Sequence, residues 1–259
     1  MTCLTAVLAF GISSCSDGAA PDGAASATSA SSTAVTAQGT PSALAPATAN
    51  GIPIRGVTTS SKGAYLQTTM DDSDPAWNLD PAIIDPATTS TIEPSVLLEG
   101  YRHILTFIAE EAIDSPVNGG GQSAAEWWAE HAEGIADSHE EELRRDFVDE
   151  GRPFIMRESW QQEERFGGAY EYVYDSSRAR LLSRVIKPAS VWKLEGENIT
   201  IAVQAEVDYS MAVRPAPGTT SEVMQHTTGP LTYSATKDPL DGKWRIDGYA
   251  GDIRTTEAW

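Results

Sequence analysis

Residues Ile199 to Val213 carry apolar side chains at every odd position and mostly polar or small ones at the even positions. Strand side chains alternate between two faces, so a period of two this long predicts one half-buried strand. At ~3.3 Å per residue it would span roughly 50 Å, and a strand of that length has to twist or bend around something. Residues Arg180 to Leu194 supply a partner strand through the turn Glu195-Gly-Glu-Asn198. A further strand is expected from about Ser221 to Thr236, where Leu231, Tyr233 and Ala235 alternate. Asp241-Gly242 then predicts a tight hairpin turn into Lys243-Trp244-Arg-Ile246-Asp-Gly-Tyr249. Thr200, Gln204, Glu206, Asp208 and Ser210 make the even face of the long strand polar, which argues for a monomer over an apolar dimer.

The odd face needs a cover, and the sequence before it supplies helices. From about Pro94 to Ala112, Leu97, Tyr101, Ile104, Leu105, Ile108 and Ala112 recur at three- and four-residue steps and form one apolar stripe. After a triple glycine, Ser123-Ala-Ala-Glu126 has the spacing of a capping box, predicting a second helix with Trp127, Trp128, His131 and Ile135. Ser138-His-Glu-Glu141 repeats the box, and acids followed by Arg144 and Arg145 suit a third helix running to about Glu150.

Upstream, residues 51–93 contain Pro53, Pro75, Pro81 and Pro86, which interrupt any period, and the expectation is an irregular arm. Trp77, Leu79, Ile83 and Ile84 would pin it to the core, and it suits a partner-binding segment that orders on contact. The Asp71-Asp72-Ser-Asp74 cluster lacks the glycine and closing glutamate of a calcium loop, so no metal site is expected there.

The N-terminus gives a cellular address. An apolar stretch from Leu4 to Ile12, too short to span a bilayer, ends in Ile12-Ser13-Ser14-Cys15. This resembles the bacterial lipoprotein signal, an aliphatic residue and two small ones before a cysteine. That resemblance implies a signal peptide over residues 1–14 and a lipidated Cys15, holding the protein at the extracytoplasmic face of the cell membrane. Lys and Arg are missing before Arg55, whereas export signals begin with positive charge, so the translation start is expected upstream. Residues 15–50 are almost wholly small and polar and predict a disordered tether reaching roughly 30–35 Å. With Cys3 in the signal and Cys15 lipidated, no pair remains for a disulfide. The net charge of -19 argues against nucleic acid as a partner.

Helices followed by long antiparallel strands, ending on Asp241-Gly-Lys-Trp244-Arg-Ile246-Asp-Gly-Tyr249, resemble the nuclear transport factor 2-like family, also called SnoaL-like or cystatin-like. The resemblance covers about residues 94–252 and implies an α+β domain over 94–259, its N-terminal helices packed on a strongly curved, cone-like antiparallel sheet. Family enzymes place an acid or base and a hydroxyl donor in an apolar pocket, which makes Asp208, Tyr209 and His103 the candidate catalytic residues, with Tyr101, His131 and Asp146 behind them. Asp208 shares the polar face of its strand, and His103 lies off the helical stripe. No nucleophile elbow, phosphate loop or zinc motif occurs, and no cofactor is expected. Adjacent helix residues point ~100° apart, so one of Trp127 and Trp128 is expected exposed, as a lip for an apolar ligand or partner. The reading favours a non-catalytic, membrane-anchored domain binding an envelope protein or a small apolar ligand. The alternative is a SnoaL-like isomerase or dehydratase.

Overall fold

A computed structural model describes residues 48–118, 120–152, 154–155, 170–215 and 221–258. The signal segment, Cys15 and the tether as far as residue 47 lie outside the described residues.

The long alternating strand is present as β6 (Ile199–Pro215), and its odd residues from Ile201 to Val213 are all buried. It pairs antiparallel with β5 (Leu181–Lys193) on one edge and β7 (Val223–Lys237) on the other, the first through the expected turn at Glu195–Asn198. β4 (Tyr170–Tyr172) continues the β5 edge at the far end of β6. On the outer edge of β7, β8 (Trp244–Gly251) pairs with one half and β9 (Arg254–Ala258) with the other. The switch between them falls at Gly229, whose φ of +140° and close approach to the Asp252 backbone leave no room for a β-carbon. Beside it, the Asp252 N–H donates to Pro230 O at 3.1 Å.

This is an antiparallel α+β fold, but the sheet is not strongly curled. The register between β6 and β7 runs unbroken from Ile199↔Lys237 to Val213↔Val223. Register shifts occur only in the flanking pairings, at Leu181/Ser183, Pro188/Ser190 and Ser234/Ala235. Bulges bend strands, and in this sheet the register shifts are confined to the pairings that flank β6–β7.

Helices are N-terminal only in part, because a small sheet precedes them. β1 (Thr48–Ala49), β2 (Ile52–Ser60) and β3 (Gly63–Thr68) form an antiparallel meander where an irregular arm is expected. Residues 71–93 are also more ordered than the prolines imply. Asp74-Pro75, Asp80-Pro81 and Asp85-Pro86 each start a helical turn, the aspartate accepting from the N–H two residues on and the proline occupying the first turn. The third of these opens α1 (Pro86–Thr91). The Asp71 cluster serves the same turns, since Asp71 accepts from Ser73 N–H at 2.9 Å and Ser73 Oγ at 2.6 Å.

α2 (Pro94–Phe107) begins on Pro94 and widens into a π turn at Ile108–Ile113, and its stripe packs on the odd face of β6. α3 (Ala124–His131) starts with the complete Ser123/Glu126 capping box. The second box does not form: Ser138 Oγ contacts His139 Nδ1 at 3.2 Å, and α4 (Glu140–Arg144) begins without a side-chain cap. Trp127, Trp128, Phe147 and Phe154 close the far end of the core.

Candidate ligand groove

Residues 71–93 are fastened at two places and stand off α2 between them. At one end the buried Tyr101 hydroxyl donates to Ala76 O at 2.6 Å, and Trp77 Nε1 donates to Asp71 O at 2.6 Å. At the other, Ile84 bridges Val191 of β5, Asp85 N–H donates to Val191 O at 2.9 Å, and Lys193 N–H donates to Thr88 Oγ1 at 2.8 Å. Between these fastenings lies a groove of about 540 Å³, walled by Trp77, Leu79, Ile84, Ile92, Leu97 and Leu98. Asn78, Thr89 and Arg102 are the polar side chains on its lining. Apolar walls with a few polar groups are the usual composition of a small-molecule site, and the volume falls within the ~300–1,000 Å³ of such sites.

Sequence reasoning places Trp77, Leu79 and Ile84 against the core, and they do pack there while leaving one side open. Arg102 carries no motif and escapes such a reading. The available signal is its i,i+4 spacing from Leu98, on a flank of α2 beside the buried stripe.

The sequence candidates for catalysis do not converge. Asp208 is exposed on the outer sheet face, 2.8 Å from His226 Nε2. Tyr209 points the other way and is buried. His103 is on α2, where burial pushes its imidazole pKa down against the pull of Glu99, and its Nε2 has no hydrogen-bond partner among the described residues. Tyr101 is occupied by Ala76, and burial pushes its hydroxyl pKa up. Asp146 accepts from Arg152 Nη1 at 2.9 Å and Arg145 Nη2 at 3.3 Å.

His131 stacks on Trp127 with ring centroids 4.4 Å apart, and its Nδ1 lies 2.8 Å from Trp127 O. A carbonyl only accepts, so Nδ1 carries the proton and Nε2 faces Glu111 Oε1 at 3.8 Å. Glu111 also accepts from Trp127 Nε1 at 2.9 Å and from Arg55 at 3.3 Å. Trp127 and Trp128 are both buried, so neither forms a lip. Phe147 and Phe154 pack against Trp128 as well as Trp127, covering two sides of α3 rather than one.

The even face of β6 is also less solvated than its composition implies. Thr200 and Thr236 hydroxyls meet at 2.7 Å, and Thr236 Oγ1 donates to Asp247 Oδ2 at 2.5 Å, all three being buried. Among the described residues no group of three or more His, Cys, Asp or Glu is placed to hold a metal ion. No described helix is long and apolar enough to cross a membrane.

A buried polar assembly joins the small sheet to the large one. Asp114 and Arg180, both with fully buried side chains, pair at 3.0 Å. Thr68 donates to Asp114 Oδ2 through its N–H at 2.7 Å and its hydroxyl at 2.8 Å. Arg180 also donates to Asn118 O at 2.6 Å and Ser115 O at 3.0 Å, and its guanidinium carbon lies 3.7 Å from the centroid of the Tyr65 ring. Asp114 and the two terminal nitrogens of Arg180 are all engaged within the protein, so the assembly works as a joint between elements. No family model, curated protein or solved structure matches the chain.

Proposed function

We propose that the protein is a lipid-anchored envelope domain that binds a small apolar ligand through the groove between residues 77–92 and α2, without chemistry on that ligand. The carrying observation is the groove itself, a concave apolar surface of about 540 Å³ formed by the half-buried Trp77, Leu79, Ile84 and Leu98 over the buried Ile92 and Leu97. The scatter of Asp208, His131 and Asp146 over separate hydrogen-bonded contacts, with His103 apart from all three, supports binding over the SnoaL-like proton-transfer alternative. The anchor rests on Ile12-Ser13-Ser14-Cys15 and the small-residue tract behind it. Kinship to the nuclear transport factor 2-like family is part of the proposal as an ancestry of the helix-on-sheet layout, without the curl.

The test uses N-phenyl-1-naphthylamine, a neutral apolar fluorophore, with the full chain and a Thr89→Trp variant. Thr89 is exposed on the groove's rim, so the larger side chain obstructs it without entering the core. Saturable binding at one probe per chain is expected, weakened at least about tenfold in the variant. Unsaturable binding, or equal binding by both chains, refutes the groove reading. For the anchor, palmitate labelling in a bacterial host should mark the protein and vanish in Cys15→Ser. Label retained in that variant refutes lipidation at Cys15.

A further inference from the structure

Arg102, unlike most described arginines, has no carboxylate beside it. It is exposed on the lining of the groove, one helical turn after Leu98, with its guanidinium carbon 5.7 Å from the centroid of the Trp77 ring. Among the described residues no carboxylate pairs with it. Arg55, Arg152, Arg178, Arg214 and Arg245 each have one within 4 Å. In a chain with 37 acidic and 18 basic side chains, most guanidinium groups are occupied, and this one is left facing the mouth of an apolar trough. Its position over the Trp77 face is the geometry of a cation–π contact, which holds the charge at one end of the groove. The indole is itself fixed by its hydrogen bond to Asp71 O at 2.6 Å.

Resting on the binding reading above, we infer that the ligand is a single-chain amphiphile with a carboxylate head, its alkyl chain along the half-buried Leu79, Ile84 and Leu98 and its head on Arg102. A guanidinium matches a carboxylate with two parallel N–H donors, and one such group balances one negative charge. A doubly charged phosphate head would keep an uncompensated charge in the field of a -19 protein. An extended peptide would bring backbone donors and acceptors to a lining whose other polar side chains are Asn78 and Thr89, leaving most of those groups unpaired. A second copy of the chain would bring the same net negative charge to the rim. An alkyl carboxylate is free of all three penalties.

The experiment displaces N-phenyl-1-naphthylamine from the full chain with decanoate or with decanol, both below their aggregation limits, at pH 8 and 0.15 M salt. The chains are the unaltered protein, Arg102→Gln and Thr89→Trp. An exposed guanidinium–carboxylate pair is worth up to about 1 kcal/mol, which is about fivefold in affinity. Decanoate should therefore displace the probe about fivefold more tightly than decanol from the unaltered chain. Arg102→Gln should erase that preference while leaving decanol unchanged, and Thr89→Trp should weaken both. Arg102 is exposed and bonded to no carboxylate, so its replacement leaves the fold intact, and an unshifted melting temperature verifies this. Equal displacement by the two compounds in the unaltered chain, or a preference surviving in Arg102→Gln, overturns the head-group inference while the groove reading stands. Probe binding that neither compound displaces also overturns it. Failure of the probe itself to bind overturns both.

Discussion

Replacing Arg180 with methionine should be among the most damaging single substitutions in the protein, and its signature should depend on pH. Methionine is of similar length but uncharged. It removes the ion pair to Asp114, the donors to Asn118 O and Ser115 O, and the stacking on Tyr65. Removing one partner of a buried pair costs about 3–5 kcal/mol, because the other charge is left unpaired. The lost hydrogen bonds, at about 1 kcal/mol each, give a sum of the same size. For a domain of this length the expected drop in melting temperature is about 10–15 °C. Burial already pushes the Asp114 carboxyl pKa up, and Arg180 is the foremost influence opposing it. Without Arg180 the folded pKa must rise further above the unfolded one. A raised folded pKa stabilises below the unfolded value, and that stabilisation is lost as pH rises through the folded value. The Arg180→Met variant should therefore regain stability on acidification from pH 8 toward 5, and the further change Asp114→Asn should remove that dependence. Thermal melts followed by circular dichroism across this range would measure both effects. A loss under about 1 kcal/mol, or a melting temperature independent of pH, would refute the idea that a buried charge is being compensated.

Two further predictions concern exposed features. Ser123→Ala should cost about 1 kcal/mol in chemical denaturation, because Ser123 accepts from Glu126 N–H in a complete capping box, whereas Ser138→Ala should change little, since that serine caps nothing. The Arg178 and Arg214 guanidinium groups hold the Glu222 carboxyl below the usual range. A depressed folded pKa stabilises above the unfolded value, near 4.3, and that stabilisation is lost as pH falls through the folded one. Glu222→Gln should thus flatten the fall of melting temperature below about pH 4, and an unchanged slope would count against the pairing.

The sequence by itself determined the central strand, its two hairpin partners, the stripe of α2 and the first capping box. Each is a local pattern: a period of two, a period near 3.6, or a pair of residues three apart whose bonds close within one turn. Residues 71–93 read as irregular in sequence because their prolines break any period, although each Asp-Pro pair carries its own cap, while the meander of β2 and β3 has weaker alternation and depends on its partner. Tertiary structure decided the rest. Two tryptophans that cannot share a helix face were both buried, because Phe147 and Phe154 return from later in the chain to cover the second. The curl expected of the sheet is missing, and the pairing of β6 with β7 runs in unbroken register. Asp114 and Arg180 are far apart in sequence and acquire a purpose only when Thr68 and Tyr65 close around them. The groove has the same origin: Arg102 is one more exposed helix residue until Trp77, fixed by Asp71, is laid beside it. A site made of side chains brought together by separate fastenings has no period for a sequence to display.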